Sequence, residues 1–456
     1  MKCPFLDRER ELEALDRIFE GRPGFVVVYG RRRIGKTRLL REWASRRGVR
    51  AVYYLAQLTS HGRNLQLMAE AARDQLGEEA LTSLRPTRLT ELLAIISRLG
   101  AEVIVIDEFT YWVRAYEGVL SELQEFIDLH LDKYNTLLIV SGSLVGIMER
   151  QVLGGGSPLY ARATSRLKLG FLPFRCLKEV VPGWSPVDRV RLYSLIGGIP
   201  FYYCLVKGSG SLSEAVRRLI LDIDSPLVAE RDLLLREHFR EPHTYNAVLS
   251  AIARGYTTPG KIANVTGLDI GHVNKALHTL LDLGLVKRVT PFHSRKGFYR
   301  VRDPILRTWY NLVEPILSLL EIGLASEAER RVYERLDAHT TQTWEELVGE
   351  YLERKYGPKG YKLVGPAIRK GEEIDILLLN EKERKAILAE AKWTGATPET
   401  IEKIRRLTLR KAAAILPPEL EITKIYVAVR QVKGTPPKHT ITPKHIEEYL
   451  QNDLNS

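Results

Sequence analysis

The stretch Val26-Val27-Val28-Tyr29-Gly30-Arg31-Arg32-Arg33-Ile34-Gly35-Lys36-Thr37-Arg38-Leu39-Leu40 decides the fold of the amino-terminal part of this 456-residue chain. A β-branched apolar run leads directly into Gly-x-x-x-x-Gly-Lys-Thr, and a helical pattern follows it. This is the strand, loop and helix context that the motif requires, and a chance Gly-Lys-Thr on a surface loop would rarely have both neighbours. The stretch therefore predicts a loop whose backbone N–H groups, with the positive end of the next helix, surround the phosphates of a nucleoside triphosphate.

Each residue type in this loop has an expected role in binding ATP. Gly30 and Gly35 permit the tight wrap, Lys36 reaches the β and γ phosphates as a catalytic residue, and the Thr37 hydroxyl is placed to bind Mg²⁺. We therefore expect the whole loop to contact the nucleotide. Its residues are Gly30, Arg31, Arg32, Arg33, Ile34, Gly35, Lys36, Thr37 and Arg38.

A second apolar strand, Val103-Ile104-Val105-Ile106, ends in Asp107-Glu108. A buried parallel strand has this composition, and ligands collect at the carboxyl ends of the strands in an open α/β sheet. We expect Asp107 to hold Mg²⁺ through water and Glu108 to polarise the attacking water. An acidic pair that caps the next helix is the competing interpretation. The following apolar strand would bring Ser141 or Ser143 to the same edge, where a hydroxyl could sense the γ phosphate.

Composition limits the class of protein. The chain is long enough for about three domains, and its 45% hydrophobic content is that of an ordinary globular protein. No run of about eighteen apolar residues is present, so we expect a cytoplasmic protein without a membrane partner. Scarce Met beside 27% charged residues is typical of a thermophile. The formal charge of +12 favours a polyanionic partner, although a well-solvated surface would also explain it.

These features resemble the archaeal ATPase family, a group of P-loop proteins related to AAA and STAND nucleotide switches. The residues that carry the resemblance are Phe5 to Leu15, Gly30 to Thr37, Asp107-Glu108, Ser141-Gly142-Ser143, and Ser157 to Arg162. The resemblance implies that Asp7 and Arg8 lie near the adenine and that Arg162 contacts phosphate. The residue before this arginine, usually Gly in the family, is Ala161 here.

The segment Ile196-Gly197-Gly198-Ile199-Pro200-Phe201 matches the family's Gly-Gly-x-Pro sequence. In related switches this segment packs beside the bound base, and Pro200 is therefore a candidate nucleotide contact. A simple helix break is an equally good interpretation, because Gly and Pro interrupt helices in any context.

From Tyr245 the apolar pattern changes to three short helices and a hairpin. The predicted helices are Tyr245 to Ala253, one beginning at Thr258-Pro259, and Gly271 to Leu283, and the predicted wing strands are Leu285 to Val289 and Gly297 to Val301. This resembles a winged helix-turn-helix that binds double-stranded DNA. Its third helix would enter the major groove with these side chains outward: His272, Asn274, Lys275 and His278. Nine Lys and Arg residues against two Asp over residues 254–302 favour phosphate contact, although winged helices also serve as packing modules in such ATPases.

Two apolar segments near the carboxyl end flank the polar turn that follows Asn380. If Asn380 pairs with Lys385, the antiparallel ladder places Asp375 opposite Glu390, with Cβ atoms about 5 Å apart. Lys392 shares their face because side chains alternate along a strand. Two carboxylates this close repel one another unless a cation lies between them. The register therefore predicts a metal.

The preceding helix carries an apolar stripe that includes Trp344 and Leu347, and Glu345 lies at the border of this stripe. Together these residues resemble the PD-(D/E)XK nuclease superfamily. The resemblance implies that Asp375 and Glu390 bind Mg²⁺, that Lys392 orients the attacking water, and that Glu345 completes the acidic set. In isolation Glu-x-Lys on a strand is common, and a charged sheet edge would also explain it.

The sequence thus predicts an α/β chain with a P-loop parallel-sheet domain, a helical lid, a winged helix-turn-helix and a restriction-endonuclease-like α/β domain. The expected limits are 1–165 for the ATPase core, 166–241 for the lid, 242–310 for the winged helix, 311–335 for a helical linker and 336–456 for the nuclease-like domain. We expect an ATP-hydrolysing switch that binds DNA, uses ATP and Mg²⁺, positions a metal-dependent nuclease and assembles with further copies. The alternative is a STAND-type signalling or scaffold ATPase with an inert C-terminal docking domain.

Overall fold

The computed structural model describes residues 4–79, 81, 84–239 and 241–452. It divides into two compact units. The amino-terminal unit consists of Phe5–Leu172 together with Ile199–Phe201, and the carboxy-terminal unit consists of Pro4, Pro173–Gly198 and the described residues from Tyr202 onward. The three residues Ile199–Phe201, which lie in the predicted Gly-Gly-x-Pro segment, thus belong to the amino-terminal unit.

The amino-terminal unit is built on a five-stranded sheet with helices between its strands. Its strands are β1 (Gly24–Tyr29), β2 (Ala51–Leu55), β3 (Val103–Asp107), β4 (Leu137–Gly142) and β5 (Ser165–Lys168). Its helices are α1 (Glu9–Glu20), α2 (Lys36–Arg47), α3 (His61–Leu76), α4 (Leu89–Arg98), α5 (Phe109–Ala115), α6 (Val119–Leu129), α7 (Leu131–Tyr134) and α8 (Val145–Ile147).

The sheet has the strand order β2-β3-β4-β1-β5, and all its pairs are parallel. Every residue of β1, β3 and β4 is buried, because apolar side chains from both faces of the sheet enter two separate clusters. The uninterrupted apolar runs that predicted buried strands follow from this two-sided burial. The carboxyl ends of β1, β3 and β4 bring the phosphate loop, Asp107 and Ser141 to one edge.

Helix α1 begins without a side-chain cap. The sequence from Phe5 to Leu15 predicts a cap at Asp7 followed by a short amphipathic helix that carries Leu12 and Leu15. Asp7 has a φ of +49°, however, and the N-cap residue is Arg8, whose side chain makes no capping bond. Leu12 and Leu15 are buried, as the amphipathic pattern predicts.

The carboxy-terminal unit begins with helices and ends with a second sheet. Its helices are α9 (Leu177–Val180), α10 (Pro186–Ile196), α11 (Pro200–Val206, whose first two residues lie in the amino-terminal unit), α12 (Leu212–Val216), α13 (Pro226–His238), α14 (His243–Ala253), α15 (Pro259–Thr266), α16 (Ile270–Asp282), α17 (Pro304–Thr308), α18 (Leu317–Glu321), α19 (Ala325–Tyr356), α20 (Pro398–Ile415) and α21 (Pro443–Asn452). Its strands are β6 (Val286–Val289), β7 (Phe298–Val301), β8 (Lys362–Arg369), β9 (Glu372–Asn380), β10 (Lys385–Ala396), β11 (Glu421–Val432) and β12 (Thr440–Ile441).

The second sheet has the order β12-β11-β10-β9-β8. Strands β8, β9 and β10 form antiparallel pairs, and β10, β11 and β12 form parallel pairs. The parallel connection from β10 to β11 passes through α20, as a crossover between parallel strands requires. Helix α19 packs against β10, β8 and β9 and runs without interruption through residues 335 and 336.

Ion pairs tie the first long helix of this unit, α10, to its later elements. Arg189 forms a bidentate pair with Glu447 of α21, and both side chains are at least nine-tenths buried. Arg191 donates to Asp337 of α19 at 2.9–3.0 Å, and Trp393 Nε1 donates to the same carboxylate. The helix expected to act as part of a lid is therefore bonded into the unit that carries the second sheet.

Helices α14, α15 and α16 and the antiparallel hairpin β6–β7 match the elements expected of the winged segment, with helix ends shifted by one or two residues. The loop of this hairpin is docked on the second sheet. Phe292 N donates to Pro366 O at 2.9 Å, and the Phe292 ring packs against the apolar cluster under β8 and β9. The hairpin and the second sheet thus share a hydrophobic contact.

Candidate functional site

The phosphate loop joins β1 to α2. A Cβ at Gly30 would lie 2.7 Å from Leu169 O, and Gly35 has a φ of +97°, so each position requires glycine. Lys36 is the first residue of α2 and is 4% exposed. Its ammonium donates to Gly30 O at 3.1 Å and Arg31 O at 3.4 Å. The loop thus presents a folded-back lysine at the positive end of a helix, which is a suitable place for an anion.

Asp107 ends β3 and is fully buried. Oδ2 accepts hydrogen bonds from Thr37 Oγ1 at 2.6 Å and from the Tyr53 hydroxyl. Oδ1 accepts from the Ser141 hydroxyl and from Glu108 N at 3.0 Å. A threonine hydroxyl and a carboxylate are hard oxygen donors of the kind that Mg²⁺ prefers, so these residues fit the predicted ion.

Glu108 is held in an uncommon backbone conformation, with a φ of +50°. Its Oε2 accepts from Ser143 N at 3.0 Å and Ser143 Oγ at 2.7 Å, and its Oε1 lies 3.8 Å from Lys36 Nζ. Left-handed backbone at a non-glycine residue costs about 1–3 kcal/mol and persists where surrounding contacts fix it. The two serines left open by the sequence therefore have different partners, because Ser141 contacts Asp107 and Ser143 contacts Glu108.

Tyr53 is a site residue that the sequence analysis missed. In β2, Leu55 pairs with Asp107, so Tyr53 points to the same face of the sheet as Asp107. Burial and then the charge of Asp107 raise the pKa of Tyr53, which keeps its hydroxyl protonated as a donor. The alternation of side chains along β2 predicts the face of the sheet on which Tyr53 lies. Its proximity to Asp107 follows only from the strand order, which places β2 beside β3.

Arg8 and Arg33, which are predicted to contact the nucleotide, make contacts with other residues of the amino-terminal unit. Arg8 is 7% exposed, and its guanidinium donates to Ile34 O at 3.3 Å and Gly170 O at 2.8 Å. Ile34 itself is buried in a core cluster. The Arg33 guanidinium lies 4.1 Å from the centre of the Phe201 ring. Arg8 thus stabilises the loop through its hydrogen bond to Ile34 O. Arg33 lies beside Phe201 of the predicted Gly-Gly-x-Pro segment.

The remaining loop residues also have contacts inside the amino-terminal unit. Arg31 Nη1 donates to Arg32 O at 3.0 Å. The Arg38 guanidinium lies 5.7 Å from the centre of the Phe5 ring. A Cβ at Gly35 would lie 3.8 Å from Pro200 Cγ, so Pro200 lies next to the loop.

Arg162, the expected phosphate contact, forms a bidentate ion pair with Asp128 at 2.7 and 2.9 Å. It also donates to Pro158 O at 2.8 Å. Ala161 has a φ of +60°, so it adopts the left-handed conformation that the family's glycine would adopt without strain. Ala161 therefore occupies a backbone conformation that favours glycine.

The predicted register in the second sheet is confirmed, since Lys385 pairs with Asn380 and Ala389 with Ile376. Lys392 Nζ lies 2.9 Å from Asp375 Oδ2 and 3.0 Å from Glu390 Oε2, and Lys411 Nζ lies 2.8 Å from Glu390 Oε1. Repulsion between the carboxylates had predicted a metal, but the cation between them is Lys392. Lys411 of α20 was not identified from the sequence.

The charges of this cluster compensate one another. Burial lowers the pKa of Lys392, but the charges of Asp375 and Glu390 outweigh it and raise this pKa. Burial and then the Asp375 charge raise the pKa of Glu390. Among the described residues, no group of three or more His, Cys, Asp or Glu side chains is arranged to hold a metal ion. The three acids predicted as metal ligands here, Asp375, Glu390 and Glu345, therefore do not converge.

Glu345 faces a different partner from the one expected. Its Oε2 accepts from Arg300 Nη1 of β7 at 2.7 Å. Burial raises the pKa of Glu345, Arg300 opposes this effect, and Asp375 adds to it. The neighbouring Glu346 pairs with Lys287 at 2.7 Å and Arg307 at 3.4 Å. Burial opposes its ionisation, but Arg307 and Lys287 outweigh burial and lower the pKa of Glu346 to about 2.

The ion pairs of Glu345 and Glu346 neutralise part of the positive charge of the winged segment. The side chains expected to face DNA on α16, His272, Asn274, Lys275 and His278, are all exposed. Of the nine cations counted, however, Lys287, Arg300 and Arg254 are paired with acids beyond residue 302. Six form no ion pair within the described ranges, namely Lys261, Lys275, Arg288, Arg295, Lys296 and Arg302. The sequence count therefore overstates the positive charge of this surface.

Two regions of the chain match known protein families. Residues 5–205 match an ATPase domain found predominantly in Archaea, and residues 309–404 match a family described as archaeal and bacterial proteins of unknown function. An uncharacterized protein of Methanocaldococcus jannaschii is 32% identical over 423 residues, which cover 90% of this chain and 92% of that protein.

Two archaeal proteins with solved structures match this chain. The Walker-type ATPase PABY2304 of Pyrococcus abyssi superposes with a TM-score of 0.53 at 20% identity, over 67% of this chain and 96% of that chain. The ORC2 protein of Aeropyrum pernix, solved as ADPNP–ADP complexes, reaches 0.47 at 16% identity, over 71% and 97%. Among the helices of the described chain, none combines the length and apolar composition that a membrane crossing requires. With its ATPase domain and full-length archaeal relative, the chain belongs to the archaeal ATPase family.

Proposed function

We propose that the chain is a switch that binds and hydrolyses ATP with Mg²⁺ at the edge formed by β1, β3 and β4. The observation that carries this proposal is the hydrogen bond from Thr37 to the buried Asp107, beside Glu108 held by Ser143. Phosphoryl transfer needs charge stabilisation and positioning more than covalent chemistry. Backbone N–H groups of the loop and Lys36 would bind the β and γ phosphates.

The two acids have separate tasks in this proposal. Thr37 would bind Mg²⁺ directly and Asp107 would bind it through water, and the ion would neutralise charge between the β and γ phosphates. Glu108 would orient the attacking water, because its carboxylate is fixed by Ser143 and lies close to Lys36. The strained backbone at Glu108 supports this assignment, since such strain is concentrated at functional positions.

Two substitutions test the roles. Lys36→Ala should abolish nucleotide binding, and Glu108→Gln should retain binding but slow ATP turnover by about a hundredfold or more. Lys133→Ala and Glu117→Gln are matched controls, since both residues are exposed in the same unit. The assigned roles are wrong if Lys36→Ala or Glu108→Gln hydrolyses ATP at the parental rate.

We also propose that α16 contacts double-stranded DNA. Support comes from the three-helix and hairpin arrangement, the exposed face of α16 and the six cations without an ion pair in the described chain. A duplex-binding titration with salt tests it, since phosphate contacts make affinity fall steeply as salt rises. Absent binding, or affinity unchanged between low and moderate salt, would remove this role. Lys275→Ala should weaken binding, and the exposed Lys403→Ala on α20 is the control.

A second candidate function, a metal-dependent nuclease, is favoured by the order α19-β8-β9-β10-α20-β11 with Asp375, Glu390 and Lys392 in contact. The two carboxylates supply oxygen donors that suit Mg²⁺, but Lys392 and Lys411 already neutralise them. Purified protein is incubated with MgCl₂ or MnCl₂ and several forms of DNA. Cutting that disappears in Asp375→Ala supports the nuclease. Inactivity with intact ATP turnover supports the docking-domain alternative.

A further inference from the structure

The environment of Asp107 leaves little room for another donor. A carboxylate has about four lone-pair sites, and Asp107 already accepts from four groups. They are the Thr37 hydroxyl, the Tyr53 hydroxyl, the Ser141 hydroxyl and Glu108 N. A water molecule bound to Mg²⁺ would also have to donate to this carboxylate. One of the four present donors must therefore yield its place when the ion binds.

Three of these donors are fixed by their positions. Ser141 lies inside β4 and is fully buried. The Glu108 donor is a backbone N–H adjacent to the acid itself. The Thr37 hydroxyl can donate to Asp107 while its oxygen binds the ion. By elimination, Tyr53 is the donor that can leave.

The surroundings of Tyr53 allow its side chain to move while its backbone stays in place. Gln75 makes two hydrogen bonds to the Tyr53 backbone on the outer edge of β2, at 2.8 and 2.9 Å. The ring is only half-buried and lies against the exposed Arg41 guanidinium, 4.6 Å from its centre. A change in the side-chain torsions of Tyr53 would free one site on Asp107 without disturbing the sheet.

We propose that Tyr53 is a positioning residue that competes with Mg²⁺-bound water for Asp107 and thereby sets the Mg²⁺ concentration at which nucleotide is bound tightly. This inference rests on the proposed ATP site. In the absence of the ion the tyrosine satisfies the buried carboxylate, which would otherwise lack a hydrogen-bond partner at that position. The hydroxyl thus keeps Asp107 ordered at the expense of affinity for the ion.

The test is the binding of a fluorescent, non-hydrolysable ATP analogue to the full chain during titration with MgCl₂. Tyr53→Phe should lower the half-saturating Mg²⁺ concentration by about tenfold, which corresponds to the free energy of one modest hydrogen bond. Binding of the analogue in EDTA should stay the same. Tyr54→Phe is the matched control, because Tyr54 lies on the opposite face of β2 and donates to Asn64 at 2.6 Å.

The outcomes separate this inference from the proposed function. Equal half-saturating concentrations in Tyr53→Phe and the unaltered protein, or a higher one in Tyr53→Phe, would overturn the inference alone. A similar decrease in Tyr54→Phe would also overturn it, because the effect would then come from a general change in β2. If the unaltered protein shows no magnesium-dependent binding, both the proposed ATP site and the inference are wrong.

Discussion

Both units of the molecule hold a pair of acids at a sheet, but Asp107 in the first pair is satisfied in a different way from the two acids of the second pair. In the amino-terminal unit, the donors to Asp107 within the described part of the chain are neutral hydroxyls and a backbone N–H. In the carboxy-terminal unit, Asp375 and Glu390 are paired with lysine ammonium groups at 2.8–3.0 Å. Neutral donors leave the negative charge of Asp107 for an ion from solution, whereas the lysines have already compensated the other pair.

The types of the neighbouring residues, more than the closeness of two carboxylates, decide whether a site favours an external ion. A resident ammonium is covalently attached and needs no binding from solution, so it competes strongly with a metal. We therefore expect the first site to depend on Mg²⁺ and the second to depend on its lysines.

Removing the negative charge of Asp107 tests whether the first site depends on Mg²⁺. Asp107→Asn keeps the shape but loses the negative charge, so ATP turnover in saturating Mg²⁺ should fall by about a hundredfold or more. Steady-state phosphate release measures the effect, with the exposed Asp132→Asn on α7 as control. Turnover within a factor of two of the parental rate would show that Asp107 does not carry the ion.

Removing a resident lysine should make the second site resemble the first. Lys411→Met leaves the carboxylate of Glu390, which is 2% exposed, without one of its two lysine partners, and should destabilise the protein by about 3 kcal/mol. Urea unfolding measures the loss, and MnCl₂ should recover part of it because a vacancy for a cation has been created. Lys403→Met, on the exposed side of α20, is the control. No recovery with MnCl₂ would mean that the site cannot accept an ion even when the lysine is gone.

The pH dependence of stability should reveal the internal ion pairs of the carboxy-terminal unit. The pKa of Glu346 is lowered from 4.5 to about 2, so its contribution is present above pH 4.5 and is lost as the pH falls towards 2. Allowing for solvent screening of this partly exposed carboxylate, we expect about 1–2 kcal/mol. Glu346→Gln should therefore flatten the acid side of the stability curve, measured by urea unfolding between pH 5 and pH 2.

The adjacent Glu345 supplies a control of opposite sign. Its pKa is raised above 4.5, so it contributes stability that is fully present below pH 4.5 and is lost as the pH rises from 4.5 through the raised pKa. Glu345→Gln should steepen the acid side of the curve instead of flattening it. The same slope in both variants would show that the pairs of Glu346 with Lys287 and Arg307 and the burial of Glu345 do not control the titration.

A backbone change in the amino-terminal unit should have the smallest effect. Ala161→Gly relieves the left-handed conformation at φ +60°, which costs about 1–2 kcal/mol, but it also increases the entropy of the unfolded chain. We expect a net stabilisation of less than about 1 kcal/mol, measured by thermal unfolding. Ala163→Gly, at a residue without positive φ that packs on the core, should destabilise. Destabilisation in Ala161→Gly as well would mean that the methyl group is needed for packing.

Much of the fold followed from the sequence because it depends on local patterns. The apolar runs around Val28 and Val105 located buried strands, and the polar turn after Asn380 gave the register that brings Asp375 and Glu390 together. Period-two alternation then placed Lys392 on their face. In each case the residues that decide the structure are close together in sequence.

The rest depends on contacts between residues far apart in the chain. Arg300 pairs with Glu345 across 45 positions, and Lys411 reaches Glu390 across 21. Tyr53 approaches Asp107 only because β2 lies next to β3. A sequence pattern predicts which face a side chain takes, but it does not predict which distant charge or hydroxyl meets it there. The metal predicted at the second site stays a prediction, and the sequence did not show that Lys392 and Lys411 would pair with its carboxylates.

The docking of Phe292 on Pro366 limits how the protein can be dissected. A fragment that begins after residue 310 would lack the hairpin, so the apolar cluster that Phe292 covers would be exposed to water. Glu345 and Glu346 would also lose their basic partners. Such a fragment should aggregate or be degraded by proteases even though it contains every strand of the second sheet. Genetic truncation that aims to isolate the second sheet therefore has to keep the hairpin and also α10, whose Arg189 pairs with the buried Glu447.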